Sequence, residues 1–312
     1  MLPDGWRSPR ALLLGSVWLV ASCAALGFSA SHSAAPAAAS KPASPGPLAP
    51  KPQRSEPNAG VAASAVPAVA TAACNADMVL VERSCVDRYE AHLLERQADG
   101  SLNVYPAHQR PAGKRFVAAS SAGTKPQAFI SQLEAANACE NAGKRLCKLT
   151  EWYRACTGSA KTTYPYGPRF EAGRCNIGKK HLLSLLHGAS SSNWTYADFN
   201  DPELARRPGF LALTGEYATC TTSEGVSDMV GNLHEWVADR VDRTLPRKLP
   251  VPAIIQRRIG RNAGNGIFMG GFFSTTSEHG AGCTFTTAAH DPRYHDYSTG
   301  FRCCQDAALD PP

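Results

Sequence analysis

Residues 228–236 read Asp-Met-Val-Gly-Asn-Leu-His-Glu-Trp, and this stretch decides how the rest of the chain is interpreted. It places two acids, a Gly-Asn pair and a large aromatic side chain close together, without the periodicity of a helix or strand. Hard oxygen ligands beside a glycine that bends the backbone suit Ca²⁺, which also accepts backbone carbonyls. The alternative is an ordinary turn at Gly231-Asn232, with Trp236 as an anchor in the core.

The amino terminus has the form of an export signal. Arg7 and Arg10 precede an apolar run at residues 11–20 that is too short to span a bilayer but matches a signal-peptide core. Val-Ala-Ser-Cys at residues 20–23 then resembles a bacterial lipobox, in which Cys23 becomes the lipidated first residue of the mature chain. We therefore predict a lipoprotein-type signal peptide at residues 1–22. The alternative is an ordinary signal peptide cleaved near Ala30, which would remove Cys23.

Ala, Pro and Ser make up 33 of the 50 residues from 24 to 73. Such a composition buries too little apolar surface to offset chain entropy, so residues 24–73 are predicted to be a disordered tether. A folded domain follows at residues 74–305, with a tail at residues 306–312. The predicted location is the bacterial cell envelope, where the lipid anchors the exported chain to a membrane and the domain faces the periplasm or the cell exterior.

The chain has 11 cysteines, and ten of them follow Cys23. In an exported protein an even number of this kind indicates a disulfide framework, and no Cys-x-x-Cys pair suggests zinc. We expect Cys74 to pair with Cys85, Cys175 with Cys220, and Cys283 with Cys303 or Cys304.

Local patterns predict a few regular elements. Two short strands are expected at residues 78–81 and 85–90, around a turn at residues 82–84. A capping box at Ser131 and Glu134 begins a helix that ends at Gly143. A second helix is expected from Thr150 as N-cap to Gly158, with Trp152 and Cys156 on its buried face.

From residue 164 to residue 222 glycine and proline interrupt every pattern. We expect long irregular loops there, with one short helix near residues 181–186. The sequence leaves open which aromatic residues line a groove and which fill the core; these are Tyr164, Tyr166, Trp194, Tyr196, Phe272 and Phe273.

Three blocks of sequence together resemble the formylglycine-generating enzyme family, also called sulfatase-modifying factors. Gly-Lys-Arg-Leu-Cys at residues 143–147, followed by Thr-Glu-Trp at 150–152, is similar to the family's GKRLPTEAEW run. Residues 228–236 resemble its GLYDMxGNVWEW element, and Gly270-Gly271 with Gly-Phe-Arg-Cys at residues 300–303 resembles its RGGSW and GFR ends. The blocks follow the family's order and cover nearly all of the predicted domain.

The resemblance implies a single α+β domain related to the C-type lectin-like fold, with little regular secondary structure and with disulfides and bound Ca²⁺ as stabilisers. The family's second calcium site would fall on the side chains of Asp228 and Glu235 and on the carbonyls of Gly231 and Leu233. Its first site uses an Asn-Ile pair, which Asn176 and Ile177 reproduce, with the remaining ligands expected near residues 198–201.

Enzymes of the family oxidise a cysteine of sulfatases to formylglycine with Cu(I) held by two cysteines, because soft thiolates select Cu(I). Here Ser274, Thr275 and Thr276 stand where the first thiolate is expected, and a hydroxyl cannot replace it. Cys283 alone survives in this region as a candidate catalytic residue, and Met269 replaces the family's arginine before Gly-Gly.

Three hypotheses follow for function. The first is a non-oxidising member whose calcium-stabilised fold binds a protein, peptide or glycan at the cell surface. The second is a formylglycine-generating oxidase with a rearranged copper site. The third is a different metal enzyme that uses His279, Cys283, His290 and His295. We favour the first, because the expected first thiolate is missing.

Seven basic residues crowd the segment before Gly264, although the net charge of the chain is only +6. Such a cluster attracts an acidic polysaccharide or anionic lipid headgroups, or is simply a solvated loop. No nucleic-acid module is recognisable, so nucleic acid is excluded as an expected partner. The basic residues are Arg240, Arg243, Arg247, Lys248, Arg257, Arg258 and Arg261.

Overall fold

The structure is a computed structural model that describes residues 74–308, except Lys114, Ala189, Ser277 and Glu278. The predicted signal peptide, Cys23 and the predicted tether lie outside the described residues. Within the described part of the chain, no helix is both long enough and apolar enough to cross a membrane.

The described residues form eleven short strands, the longest of seven residues. The strands are β1 Met78–Val81, β2 Ser84–Asp87, β3 Ala91–Arg96, β4 Leu102–Val104, β5 Phe116–Ser120, β6 Arg145–Leu146, β7 His234–Arg240, β8 Gly266–Met269, β9 Thr286–Thr287, β10 Thr299–Phe301 and β11 Cys303–Asp306.

Seven α-helices accompany these strands in the described part, and five of them span only four to six residues. The helices are α1 Gln132–Asn141, α2 Leu149–Thr157, α3 Leu182–His187, α4 Tyr196–Phe199, α5 Glu203–Arg206, α6 Leu245–Lys248 and α7 Ala253–Gln256. Helix α3 lies where the one short helix of the loop-rich region was predicted, and that region otherwise contains α4, α5 and a 3₁₀ turn at Ser191–Asn193.

The structure largely confirms the first strands and the first helix that the sequence predicts. Strand β1 has the expected bounds, and Glu82 takes a left-handed conformation (φ 55°) in the turn that follows it. Strand β2 ends at Asp87, three residues before the predicted end. Helix α1 begins with the predicted capping box of Ser131 and Glu134.

Helix α2 begins two residues earlier than predicted, with Lys148 and not Thr150 as N-cap. The reason is that one acid of the helix itself and one acid of strand β7 satisfy its first amides. The backbone N–H of Lys148 donates to Glu151 Oε2 at 2.9 Å, and that of Leu149 donates to Asp239 Oδ2 at 2.7 Å. The predicted stop at Gly158 is confirmed, and Trp152 and Cys156 are fully buried as expected.

Three small sheets carry the domain. Their strand orders are β1-β2-β11-β6, β10-β7-β8-β9 and β4-β3-β5. Strand β7 contains the end of the 228–236 stretch and lies at the centre of the second sheet, parallel to β10 and antiparallel to β8. This register places Glu235 opposite Gly300 on one side and opposite Met269 on the other.

Five disulfides cross-link the described residues. The predicted pairs Cys74–Cys85 and Cys175–Cys220 are confirmed. The predicted pairing of Cys283 with Cys303 or Cys304 is wrong, because Cys283 bonds to Cys156 of α2. Cys303 bonds to Cys139 of α1 and Cys304 to Cys147. Adjacent side chains of a strand point to opposite faces, so the two neighbouring cysteines of β11 reach different elements.

The buried apolar side chains form three clusters around the 228–236 stretch. The largest contains Trp152, Met229 and Val237, the second contains Trp236 and Phe268, and the third contains Leu233 and Phe273. Members of one short stretch therefore enter all three clusters, which is why this stretch organises the fold.

Candidate functional site

The 228–236 stretch is held in a strained turn that only certain residues tolerate. Asp228 and Asn232 have left-handed φ values of 61° and 57°, and Gly231 has a φ of 84°. A Cβ atom on Gly231 would lie 2.2 Å from the carbonyl oxygen of Asn176, so a glycine is required there. The turn is thus pressed directly against Asn176.

The two predicted calcium segments meet at this contact. The backbone N–H of Asn232 donates to the Asn176 carbonyl at 2.8 Å, and Asn176 Nδ2 donates to Asn232 Oδ1 at 2.8 Å. Asn176 Nδ2 also donates to the carbonyl of Phe210. Asn176 Oδ1 is buried without a hydrogen-bond partner in the described part of the chain, which leaves one oxygen available to a cation or a donor.

All three family blocks converge on the carboxylate of Glu235. Its Oε2 accepts from Trp152 Nε1 at 2.7 Å and from Arg302 Nε at 2.6 Å, and its Oε1 accepts from Arg302 Nη2 at 2.6 Å. Arg302 is 0% exposed and also donates to the carbonyls of Asp87 and Ser227. The result is a fully buried, two-point ion pair with nearly every donor used.

Two further carboxylates lie beside this ion pair. Glu90, which sequence reasoning missed, accepts from the backbone N–H of Leu233 at 3.1 Å and from Asn232 Nδ2 at 2.5 Å. Burial, followed by the nearby charges of Asp228 and Glu235, raises the pKa of Glu90 well above its ordinary value. Burial likewise raises the pKa of Asp228 to about 6.

The described ligand atoms do not fit a direct Ca²⁺ site on Asp228, Gly231, Leu233 and Glu235. Both oxygens of Glu235 are engaged by Arg302 and Trp152, and Asp228 Oδ2 accepts from the backbone N–H of Gly215 at 2.6 Å. Among the described residues, no group of three or more His, Cys, Asp and Glu side chains has the geometry to hold a metal ion. Calcium at this loop would have to displace the guanidinium from Glu235, and it stays a prediction.

The remaining ligands expected near residues 198–201 are engaged in local turns. Asp198 accepts from Thr195 at the start of α4, and Asp201 accepts from the backbone N–H of Glu203. These interactions give the two carboxylates structural roles in the described arrangement.

A cavity of about 400 Å³ lies where the family's copper-binding segment was expected. Thr275 and Thr276 line it, and so do the residues that precede Cys283. Cys283 itself is fully buried in its disulfide with Cys156. The lining consists of Tyr164, Phe170, Ile177, Gly178, Thr275, Thr276, Gly280, Ala281, Gly282 and Phe285.

The cavity wall is aromatic on one side and hydroxyl-bearing on the other. Tyr164 stacks on Tyr166 with ring centroids 5.5 Å apart, and Phe170 lies next to it with 53% of its surface exposed. Thr275 Oγ1 accepts from the backbone N–H of Phe272 at 2.8 Å. Of the aromatic residues left open by the sequence, Tyr164 therefore lines the cavity, whereas Phe272 and Phe273 belong to the core.

Each histidine of the third hypothesis has its own contacts in the described structure. His290 stacks between Phe268 and Tyr294, and burial lowers its pKa to about 4. His295 Nδ1 lies 2.7 Å from Asn200 Oδ1, and His279 Nδ1 lies 3.4 Å from Thr287 Oγ1. With Cys283 in a disulfide, these residues do not form a common ligand set among the described residues.

A set of packed aromatic rings reaches the cavity wall. His234, which sequence reasoning also missed, lies between Phe268 (4.6 Å) and Phe285 (5.3 Å), and Phe285 forms part of the cavity wall. Burial lowers the pKa of His234 well below its ordinary value. No local signal in the sequence distinguishes a buried histidine of this kind from a solvated one.

These features define a small, disulfide-linked α+β domain built around a buried ion pair. The chain belongs to the sulfatase-modifying factor family, since the model of the sulfatase-modifying factor enzyme 1-like domain matches residues 79–307. This match confirms the predicted family and, with the structure, the predicted single α+β domain with little regular secondary structure and with disulfide bonds.

Solved structures with a similar chain include the Major Tropism Determinant I1 variant, with a TM-score of 0.41, 16% identity and coverage of 77% of this chain and 55% of that one. This chain therefore spans about half the length of that protein. PvdO from Pseudomonas aeruginosa matches with a TM-score of 0.38 and 12% identity, over 75% of this chain and 100% of that one. CarF matches with a TM-score of 0.34 and 13% identity, over 76% and 95% respectively. Comparison with curated proteins found no match.

Proposed function

We propose that the chain is a non-oxidising member of the sulfatase-modifying factor family, whose domain is a binding module. The observation that carries the proposal is the state of Cys283. It is bonded to Cys156, and the ten cysteines of the described residues are all in disulfides. Threonine hydroxyls line the cavity where a thiolate pair would have to stand. Cu(I) requires soft sulfur ligands, which this surface does not offer.

The residues that line the cavity favour an uncharged ligand. None of the described residues that line it is acidic or basic, and Tyr164, Phe170 and Phe285 give it an apolar, aromatic character. Thr275 and Thr276 add hydroxyl groups that can fix the orientation of a polar ligand atom. A side chain of a peptide partner or an uncharged sugar fits this chemistry.

Thiol titration separates the binding module from the oxidase. In denaturant without reductant, residues 74–308 should yield no free thiol, and the purified protein supplied with copper should form no aldehyde on a cysteine-containing sulfatase peptide. Two titratable thiols per chain together with aldehyde formation would establish the formylglycine-generating oxidase instead.

Binding at the cavity is tested with a panel of uncharged glycans and of peptides bearing aromatic or aliphatic side chains. Thr276→Trp, which fills the exposed mouth, should abolish any specific signal, while Ser192→Trp on a different exposed loop should leave it intact. A ligand that binds equally to both variants does not use the cavity.

The location we propose is the bacterial cell envelope, with the domain held at a membrane by a lipid on Cys23. The lipobox-like residues 20–23 support it, as do the five disulfide bonds among the described cysteines, since oxidising compartments favour such pairs. Mass spectrometry of the mature amino terminus should find an acylated Cys23. Cys23→Ser should move the protein into the soluble fraction. If the share of soluble protein is the same for Cys23→Ser and the wild type, the anchor is refuted.

Calcium is proposed as a stabilising ligand of the loop around Asn176 and Asp228. Three buried carboxylates face one guanidinium, so an additional positive charge is favourable, and Asn176 Oδ1 is an available oxygen. Removing calcium with a chelator should lower the melting temperature by several degrees, and Asn176→Leu should remove that dependence. Identical melting curves in calcium and in chelator would refute calcium binding.

A further inference from the structure

The connection between β7 and β8 carries an unusual concentration of positive charge. Residues 239–261, which we call the basic loop, contain seven Lys and Arg side chains and only two carboxylates, those of Asp239 and Asp242. The net charge of this short segment is therefore +5, against +6 for the whole chain. Such a segment produces a strong local positive potential.

The basic loop is packed against the core of the domain and does not extend freely into solvent. Its apolar side chains are buried in the largest core cluster; these are Val241, Leu245, Leu249, Val251 and Ile255. Two of its segments are the helices α6 and α7. With its apolar side chains turned inward, the loop holds its charged side chains on the outer surface.

Backbone hydrogen bonds bring the two ends of the basic loop together. The N–H of Val241 donates to the carbonyl of Asn265 at 2.8 Å, and the N–H of Gly264 donates to the carbonyl of Val241 at 2.9 Å. The segment with Arg257, Arg258 and Arg261 therefore returns towards the segment with Arg240 and Arg243.

Most of this charge is not neutralised within the protein. Lys248 pairs with Asp239 at 2.7 Å, and the Asp242 carboxylate accepts from Thr244. The six arginines of the loop are exposed, and none of them forms an ion pair with another described residue. They are available to an external anion.

We propose that the basic loop docks the domain on an anionic membrane surface, with its arginines bound to the phosphate groups of lipid headgroups. The planar guanidinium fork matches phosphate oxygens in a two-point arrangement, and six of the seven cations are arginine. None of the exposed large hydrophobic side chains of the described residues lies in the loop, so the contact is electrostatic and not insertive. A chain lipidated at Cys23 would keep the basic loop within reach of the bilayer.

The test measures vesicle binding of the full chain carrying Cys23→Ser, which removes the predicted acylation site. Vesicles of phosphatidylglycerol mixed with phosphatidylcholine are compared with pure phosphatidylcholine, which reports any binding by the apolar residues 11–20. We expect binding at low salt to the anionic vesicles above the neutral background, and release at high salt because the charges are exposed.

The variant Arg257→Gln, Arg258→Gln, Arg261→Gln should weaken binding to anionic vesicles on the order of a hundredfold, roughly fivefold per arginine. The matched control replaces Arg83, Arg96 and Arg207 by Gln, which changes the net charge equally at exposed positions elsewhere. It should change affinity by less than about fivefold.

Three outcomes would overturn the proposal. They are equal binding to neutral and anionic vesicles, equal losses in the two triple variants, and tighter binding to soluble polygalacturonate than to anionic vesicles at the same charge concentration. The last result would assign the basic loop to an acidic polysaccharide. None of these results bears on the state of Cys283, so they are independent of the non-oxidising function.

Discussion

The surroundings of Glu235 and the cavity beside Thr275 differ in how they use polar groups. Around Glu235, every strong donor of Arg302 and Trp152 is aimed at a carboxylate or a carbonyl inside the protein. In the cavity, by contrast, Thr276 and Phe170 are exposed to solvent.

This difference shows that the residues that stabilise the fold are not the residues that line the candidate binding cavity. The three blocks that carry the family resemblance each supply one residue to the buried ion pair and its hydrogen bonds. These residues are Trp152, Glu235 and Arg302. The departures from the family pattern, Thr275 and Thr276, lie at the cavity. Family membership therefore identifies the scaffold, while function has to be argued from the cavity.

The largest effect is expected from Arg302→Met, which leaves the buried carboxylate of Glu235 without its cation. We expect the free energy of unfolding to fall by about 3–5 kcal/mol, as for other buried pairs with one partner removed. Urea denaturation at pH 7 measures it, with Arg293→Met at an exposed site as the control, expected within about 0.5 kcal/mol.

If Arg302→Met does not fold, the double variant Glu235→Gln, Arg302→Met keeps the test decisive, because it removes the orphaned charge. It should be more stable than the single variant. A loss below about 1 kcal/mol in the single variant would mean that the ion pair does not hold the scaffold together.

His290, which stacks on Phe268 and Tyr294, should make stability depend on pH. Burial lowers the pKa of His290 to about 4, whereas the unfolded chain titrates near its ordinary value. The unfolded state binds more protons between these values, so stability is present above about pH 6.5 and is lost as pH falls towards 4. The shift corresponds to roughly 3 kcal/mol.

His290→Phe should remove most of this loss, measured as the difference in urea midpoints at pH 7 and pH 4.5. His187→Gln changes an exposed histidine and serves as the control. Parallel pH profiles for wild type and His290→Phe would show that the acid sensitivity arises elsewhere.

A smaller effect is expected from Trp152→Phe, which keeps a buried aromatic ring but deletes the 2.7 Å hydrogen bond to Glu235 and the pyrrole part of the indole. A bond to a charged acceptor contributes about 1.5–3 kcal/mol, and the lower end applies because Arg302 still holds the carboxylate. Trp194→Phe removes an indole donor from an exposed bond and should cost less. Equal losses would contradict a special role for the Glu235 site.

The smallest effect on stability is expected at the cavity. Thr276→Trp should leave the free energy of unfolding within about 0.5 kcal/mol of wild type, since Thr276 is exposed and packs against little. Thermal denaturation checks this. A marked loss would show that the cavity wall is part of the scaffold, and the division between the two regions would fail.

Much of the scaffold could be predicted because its signals are local. The capping box at Ser131, the strand at Met78–Val81 and the short helix near residue 182 depend on neighbouring residues, and all are present. The N-cap of α2 was misplaced, because Asp239 satisfies the amide of Leu149 from about ninety residues away.

The candidate site was predictable in part. The sequence brought attention to the 228–236 stretch and to Asn176, which the structure places in contact. Glu90 and His234 gave no signal, because their importance depends on burial by distant segments. The partner of Cys283 was missed for the same reason, since 127 residues separate it from Cys156.

The position of β11 constrains the order in which the first sheet can form. This last strand lies between β2 and β6, and its two cysteines are bonded 164 and 157 residues upstream. A chain emerging from its amino-terminal side cannot complete the first sheet until residues 303–306 arrive, so its earlier strands wait with unpaired edges. Oxidation before that moment would offer Cys139 and Cys147 only incorrect partners, which makes the protein dependent on disulfide isomerisation.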